Sequence, residues 1–225
     1  MGATHLSYRP LRTPGAAAAA GIIFAGLQIT SYVLLQLAVP LDATEITQAL
    51  TIGDRVISLA LGLLPVAGIA FLWFMGVVRD RLGHLEDQFF STLFIGSGLM
   101  YLAMTFVSAA VAGGLLLVFH DDPNLVDQNI YVFARALVYK VNNVYAIRMA
   151  GMHMFVIGTI WVRTHVMPRW LALITYGLAV MMMVSISIYP WTTLLFPGWV
   201  FLISACVLVL NYRSKKYKDG LSLEN

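Results

Sequence analysis

Uninterrupted apolar length is what most limits the folds open to this chain. Residues 89–119 contain no Asp, Glu, Lys or Arg. As a helix, at about 1.5 Å per residue, that run outreaches the roughly 30 Å hydrocarbon core of a bilayer. Comparable runs recur along the sequence. Charged residues make up only 11% of it, against about 25% in ordinary soluble domains. A single soluble core of 225 residues could not hide so much apolar surface. The runs are continuous rather than alternating in strand-length pieces, which excludes an outer-membrane barrel. The prediction is an all-α polytopic membrane protein with a mean hydropathy of +0.80.

Six spans are expected, at about 15–39, 55–78, 89–119, 144–162, 170–189 and 191–212, in one transmembrane domain. Arg9 and Arg12 precede the first, as they would in a signal peptide, but this run exceeds the roughly 7–15 residues of such a segment and reads as uncleaved. Leu6 stands where a myristoylation signal needs Ser or Thr. Pro40 closes the first span, and Leu41–Asp54 reads as a polar, acidic connection. Pro65 interrupts span two and predicts a kink. Ile130, Phe133, Leu137 and Val141 fall at helical spacing among polar residues, so 129–143 reads as an amphipathic outer helix at the membrane surface that can run on into span four. Span six is started near Trp191, with a kink allowed at Pro197-Gly198.

An even number of spans puts both termini on one side. Ten of the 14 basic residues fall in the terminal segments and the 2–3 and 4–5 connections, leaving Arg55, Arg135, Lys140 and Arg148 opposite. That bias predicts cytoplasmic termini in a plasma (inner) membrane. It also accounts for the net charge of +3 without nucleic acid. Trp161, Trp170, Trp191 and Trp199 near span ends fit an interfacial aromatic belt. The lone Cys206 forms no intrachain disulfide.

The polar residues inside the spans are the candidate site. Arg148 either snorkels to the outer headgroups or turns into the bundle against an acidic partner. Asp54 is the favoured partner, with Asp121, Asp122 and Asp127 as competitors. The inward reading is chosen because Arg148, Met152 and Thr159 share a face. His153 is a hydrogen-bonded core histidine, a proton relay, or a metal or haem ligand. His84, His120 and His165 all sit at span ends, so a bis-histidine haem is disfavoured. Met100, Met104, Met149, Met152 and Met154 suit Cu(I), but equally a soft packed core.

Gln28, Tyr32 and Gln36 recur every fourth residue on span one. Ser97, Tyr101, Thr105 and Ser108 share one face of span three, and Tyr176, Met183 and Ser187 one face of span five. Such stripes either glue helices together or line a polar cavity. No catalytic motif is present, and no carboxylate lies deep in a span. The 4–5 hairpin, with His165, Pro168 and Arg169, reads as a tight turn rather than a ligand site.

The hairpin Trp161–Leu171, ending Pro168-Arg169-Trp170-Leu171, resembles that of an uncharacterised family of bacterial six-helix integral membrane proteins, a domain of unknown function. The order of outer segments and the basic 2–3 loop resemble it too. The resemblance implies the six-span fold and no established reaction.

The expectation is a non-enzymatic membrane protein that binds or passes a small or lipid-like solute through a cavity between spans one, three, four and five, as a channel or transporter-like subunit would. Its candidate residues are Arg148, His153, Asp54, Gln28, Tyr32, Gln36, Ser97, Tyr101, Thr105 and Met152. The alternatives are an accessory or scaffold subunit, and an intramembrane enzyme or metal or haem protein using His153. No cofactor is assigned. The expected partners are the lipid bilayer, a second copy or other membrane subunits.

Overall fold

A computed structural model describes residues 14–38, 46–82, 88–121, 126, 128–164, 169–184 and 190–221, with side chains over a slightly narrower set. Among these residues the chain is all-helical. The helices are α1 (Pro14–Ala38), α2 (Ile46–Leu82), α3 (Gln88–Asp121), α4 (Gln128–Lys140), α5 (Ile147–Thr164), α6 (Arg169–Val184) and α7 (Leu195–Leu221). A π-helical segment, Val141–Ala146, joins α4 to α5, and a 3-10 turn, Pro190–Leu194, leads into α7. Five stretches are long and apolar enough to cross a membrane: Gly15–Leu35, Arg55–Arg79, Gln88–Asp121, Gln128–Arg163 and Trp191–Val209. Arg169–Val184 is a shorter apolar helix.

Local sequence explains most boundaries. Pro14 opens α1 at a position that needs no N–H, and a run of alanines follows. α3 stops at Asp121, just short of Asp122-Pro123, where proline disfavours further helix. Two expectations need correction. The acidic connection is shorter than expected, because α2 begins at Ile46, well before Arg55. Span six needs no interior proline kink either. α7 starts only at Leu195, so Pro197 falls in its first turn, where backbone N–H groups have no helical acceptor. Pro65 lies inside α2, as expected.

α1 packs between α2 and α7, α3 joins α2 to α5, and α6 packs on α5. The main core gathers Phe24 of α1, Phe71 and Phe74 of α2, Phe94 and Tyr101 of α3, Met154 and Ile157 of α5, and Phe196 of α7. A second, smaller core lies where the end of α3 meets α4, around Leu116, Phe119, Val126 and Tyr131, with Ile57 of α2. The belt prediction fails for two tryptophans. Trp161 and Trp199 are buried and face each other at 5.9 Å, whereas Trp170 and Trp191 are exposed. The Trp199 indole donates to Thr175 Oγ1 at 3.0 Å, which satisfies its polar edge inside the bundle.

Small residues set the closest approaches. A Cβ on Gly151 would come 2.9 Å from the Ala179 carbonyl oxygen, so α5 and α6 meet there almost backbone to backbone. A Cβ on Gly68 would run into the Phe106 ring between α2 and α3.

Candidate functional site

Seven residues into α5, His153 sits at the centre of the main core with no exposed surface. Its Nδ1 lies 3.0 Å from the Phe94 carbonyl oxygen and 3.3 Å from Ser97 Oγ. The Ser97 hydroxyl donates to the Leu93 carbonyl at 2.7 Å, so towards His153 its oxygen acts only as an acceptor. Both neighbours of Nδ1 are thus acceptors, and that nitrogen carries the proton. Nε2 is left with a bare lone pair, buried and without a hydrogen-bond partner.

Aromatic rings enclose the imidazole. Phe94 stacks on it at 4.6 Å, and Phe71 and Phe196 stand at 5.5 and 5.9 Å. The ring fits because Gly98 has no side chain. A Cβ there would overlap Met75 Sδ and come within 3.1 Å of His153 Cε1. The histidine is therefore fixed by one hydrogen-bonded edge and by packing on its faces, while its other nitrogen is spare.

The polar face of α3 continues from Ser97 past this point. Tyr101 packs on Phe196 at 4.6 Å and on Phe71 at 5.8 Å, so His153 and Tyr101 share two aromatic walls. The Tyr32 hydroxyl of α1 lies beside the side chains of Gln28, Tyr101 and Thr105. Neither the Tyr101 hydroxyl nor Gln28 Nε2 finds a partner of ordinary hydrogen-bond geometry. Thr105 donates back to its own helix, at the Tyr101 carbonyl, 3.0 Å away. At the far end of the seam Ser108 accepts from Asn142 Nδ2 of the π segment at 2.6 Å, leaving Asn142 Oδ1 buried and without a partner.

The stripes predicted on spans one and three therefore meet, at Tyr32, Tyr101 and Thr105, and Gln28, Tyr32, Ser97, Tyr101 and Thr105 are all buried. Span four contributes His153 and not the stripe expected of it. Arg148 is exposed on the outside of α5, which corrects the inward-facing reading. Arg148, Met152 and Thr159 do share a face of α5, but that face lies at the edge of the bundle, with Arg148 exposed and the other two only half-buried. Met152 is half-buried and packs on the main core. The side chains of Asp54 and Gln36 and the residues His165–Pro168 lie outside the described residues, and with them the Arg148–Asp54 pair and the predicted turn.

The span-five stripe goes elsewhere. Tyr176 donates to Thr159 Oγ1 at 2.9 Å, and Thr159 donates to the Phe155 carbonyl at 3.0 Å. These groups satisfy one another between α5 and α6, while Met183 is exposed at the α5–α6 contact. Among the described residues no group of three His, Cys, Asp or Glu side chains converges as a metal site.

Sequence reasoning missed Phe71, Phe94, Phe196, Met75 and Asn142. The aromatic residues carry no signal apart from hydrophobicity. Asn142-Asn143 in a largely apolar stretch is a signal that could have been read. No protein-family model, curated protein or solved structure matches the chain.

Proposed function

We propose that this chain is a six-span inner-membrane protein that binds or passes a small uncharged solute along the polar face of α3. One observation carries the reading. Two buried polar atoms at the two ends of that face have no hydrogen-bond partner: His153 Nε2, whose ring meets Ser97, and Asn142 Oδ1, whose amide meets Ser108. A buried polar atom left unpaired costs about 1–3 kcal/mol, so two along one face call for something that pairs with them. From Ser97 to Ser108 the seam runs about 16 Å, a little over half of a hydrocarbon core. A passage is the use of such a face that also explains its length.

Six spans, with α6 as the fifth, and the bias of basic residues support cytoplasmic termini. The likeness of the Pro168–Leu171 hairpin to bacterial six-helix proteins supports a bacterial inner membrane. Single cysteines at Ser7 and Ala43, probed on intact cells with an impermeant thiol reagent, test the orientation. Label at Ala43 alone is expected, and label at Ser7 alone would invert it.

The α5–α6 side favours a packing role for its own polar groups, because Thr159 and Tyr176 satisfy each other. A scaffold with no solute of its own extends that property to the whole bundle. Flux separates the two. Vesicles holding the full chain are challenged with gradients of glycerol, urea and ribose and followed by light scattering. Faster reswelling than empty vesicles with at least one solute is expected. Identical traces for all three would leave the scaffold as the better account.

A further inference from the structure

Arg148 stands where an arginine needs a partner from outside the bundle. It is exposed on the surface of α5, and among the described residues its guanidinium has no hydrogen-bond or ion-pair partner. A guanidinium cannot shed its proton, so on a membrane-crossing helix it must reach an acceptor. Its depth follows from the helix. Arg163, in the last turn of α5, marks one edge of the membrane. Arg148 comes 15 residues earlier, or about 22 Å at helical rise. That leaves about 8 Å to the far edge of a roughly 30 Å hydrocarbon core, a gap that an extended arginine side chain bridges. Lys140, a further eight residues back, comes out level with the headgroups.

The π segment aligns these two cations. Between Lys140 and Arg148 only Tyr145 is exposed, and the other residues are buried or half-buried. Lys140 to Tyr145 is five residues, about one turn of π helix, and three more, a little under an α turn, lead to Arg148. An unbroken α-helix would put Tyr145 about 140° round from Lys140. The three side chains therefore form one outward line. Met183 lies against Gly151, so α6, which ends at Val184, stops beside the first turns of α5 and leaves the line uncovered. The 3-10 turn Pro190–Leu194 packs on the π segment and carries the exposed Trp191. Tyrosine and tryptophan are the residues that settle at a headgroup boundary.

Charge selects the class of headgroup. Lys140 and Arg148 are both cations, and the one carboxylate among the described side chains, Asp121, is at the far end of α3. A zwitterionic headgroup would bring its own cation up to these two, whereas an anionic one brings only acceptors.

We infer that the line Lys140–Tyr145–Arg148 binds the phosphate of an anionic phospholipid at the end of the bundle remote from Arg163. Arg148 reaches it from below, Lys140 from above, and the Tyr145 hydroxyl donates between them. The inference rests on the membrane reading alone, so the flux of any solute leaves it untouched.

The test uses the full chain in mild detergent with equal amounts of dioleoyl phosphatidylglycerol and dioleoyl phosphatidylcholine, read by native mass spectrometry. Wild type should retain phosphatidylglycerol about tenfold over phosphatidylcholine, the order of one charge-assisted hydrogen bond. Arg148→Gln should abolish the preference, and Lys140→Gln should reduce it. Arg148→Lys keeps the charge and should hold most of it, which separates loss of binding from loss of fold. Arg55→Gln removes an exposed cation on α2 and should change nothing. Equal retention of both lipids by wild type would overturn the inference. So would a loss in Arg55→Gln as large as that in Arg148→Gln, because positive charge in general would then be the cause. Displacement of phosphatidylglycerol by inorganic phosphate would overturn the lipid source and assign the line to a free phosphate.

Discussion

Tyr101 and Tyr176 are both tyrosines within apolar helices, and the bundle treats them in opposite ways. Tyr176 donates to Thr159 at 2.9 Å, and its ring meets Phe155 at 5.0 Å. Tyr101 is enclosed by Phe71 and Phe196, and its hydroxyl lies beside those of Tyr32 and Thr105 without a hydrogen bond of ordinary geometry. The α5–α6 seam is closed chemically as well as sterically. The α3 seam is left open chemically, at His153 Nε2 and Asn142 Oδ1. Where water cannot make up the deficit, that difference separates a polar stripe that holds helices together from one whose polar groups are not fully used.

The largest expected effect falls on the closed seam. Gly151→Val would press a branched side chain onto the Ala179 carbonyl, a neighbour that has no rotamer to change. Overpacking of this kind costs about 1–3 kcal/mol. Thermal unfolding in detergent should show Gly151→Val melting well below wild type. A variant that melts with wild type would mean that α5 and α6 are free to separate.

On the open seam the sign should reverse. Tyr101→Phe removes a buried hydroxyl that makes no hydrogen bond of ordinary geometry, so it should raise stability by about 1 kcal/mol while lowering solute flux. A fall in stability would show that the hydroxyl is already paired and that this seam resembles the other. Ser108→Ala deprives Asn142 Nδ2 of its acceptor and should cost about 1 kcal/mol, read from denaturant unfolding in mixed micelles. The smallest change is expected for Tyr176→Phe. Hydrogen bonds between membrane helices average about 0.6 kcal/mol, so a shift near that size, non-additive with Thr159→Val, would sharpen the contrast.

The open seam was legible in sequence because its residues recur at helical spacing. Gln28 and Tyr32 are one turn apart, and Ser97, Tyr101 and Thr105 follow the same rule, so each set must share a face. Spacing within one helix does not say which neighbour that face meets. The same reasoning put Arg148 inward, and it is exposed. Met152 and Thr159 were read as its polar companions, yet Met152 serves the apolar core and Thr159 serves Tyr176. The enclosing rings of Phe71, Phe94 and Phe196 come from three helices, and only their packing brings them to His153. The tryptophans teach the same point. Position near a span end implies interfacial exposure, but Trp161 and Trp199 pack on each other in the interior.

The π segment Val141–Ala146 has a consequence for how this chain can change over time. A π turn carries one residue more than the α turn it replaces, which rotates everything on one side of it by about 100° relative to the other. At present that rotation lets Asn142 reach Ser108 while Tyr131 and Ala134 of α4 turn inward and His153 of α5 reaches Phe94. Deleting a single residue between 141 and 146 would leave an ordinary helix whose two halves no longer face their partners together. The stretch should therefore accept substitutions far more readily than changes of length, and an added or lost codon here would act on sites at both ends of the helix at once.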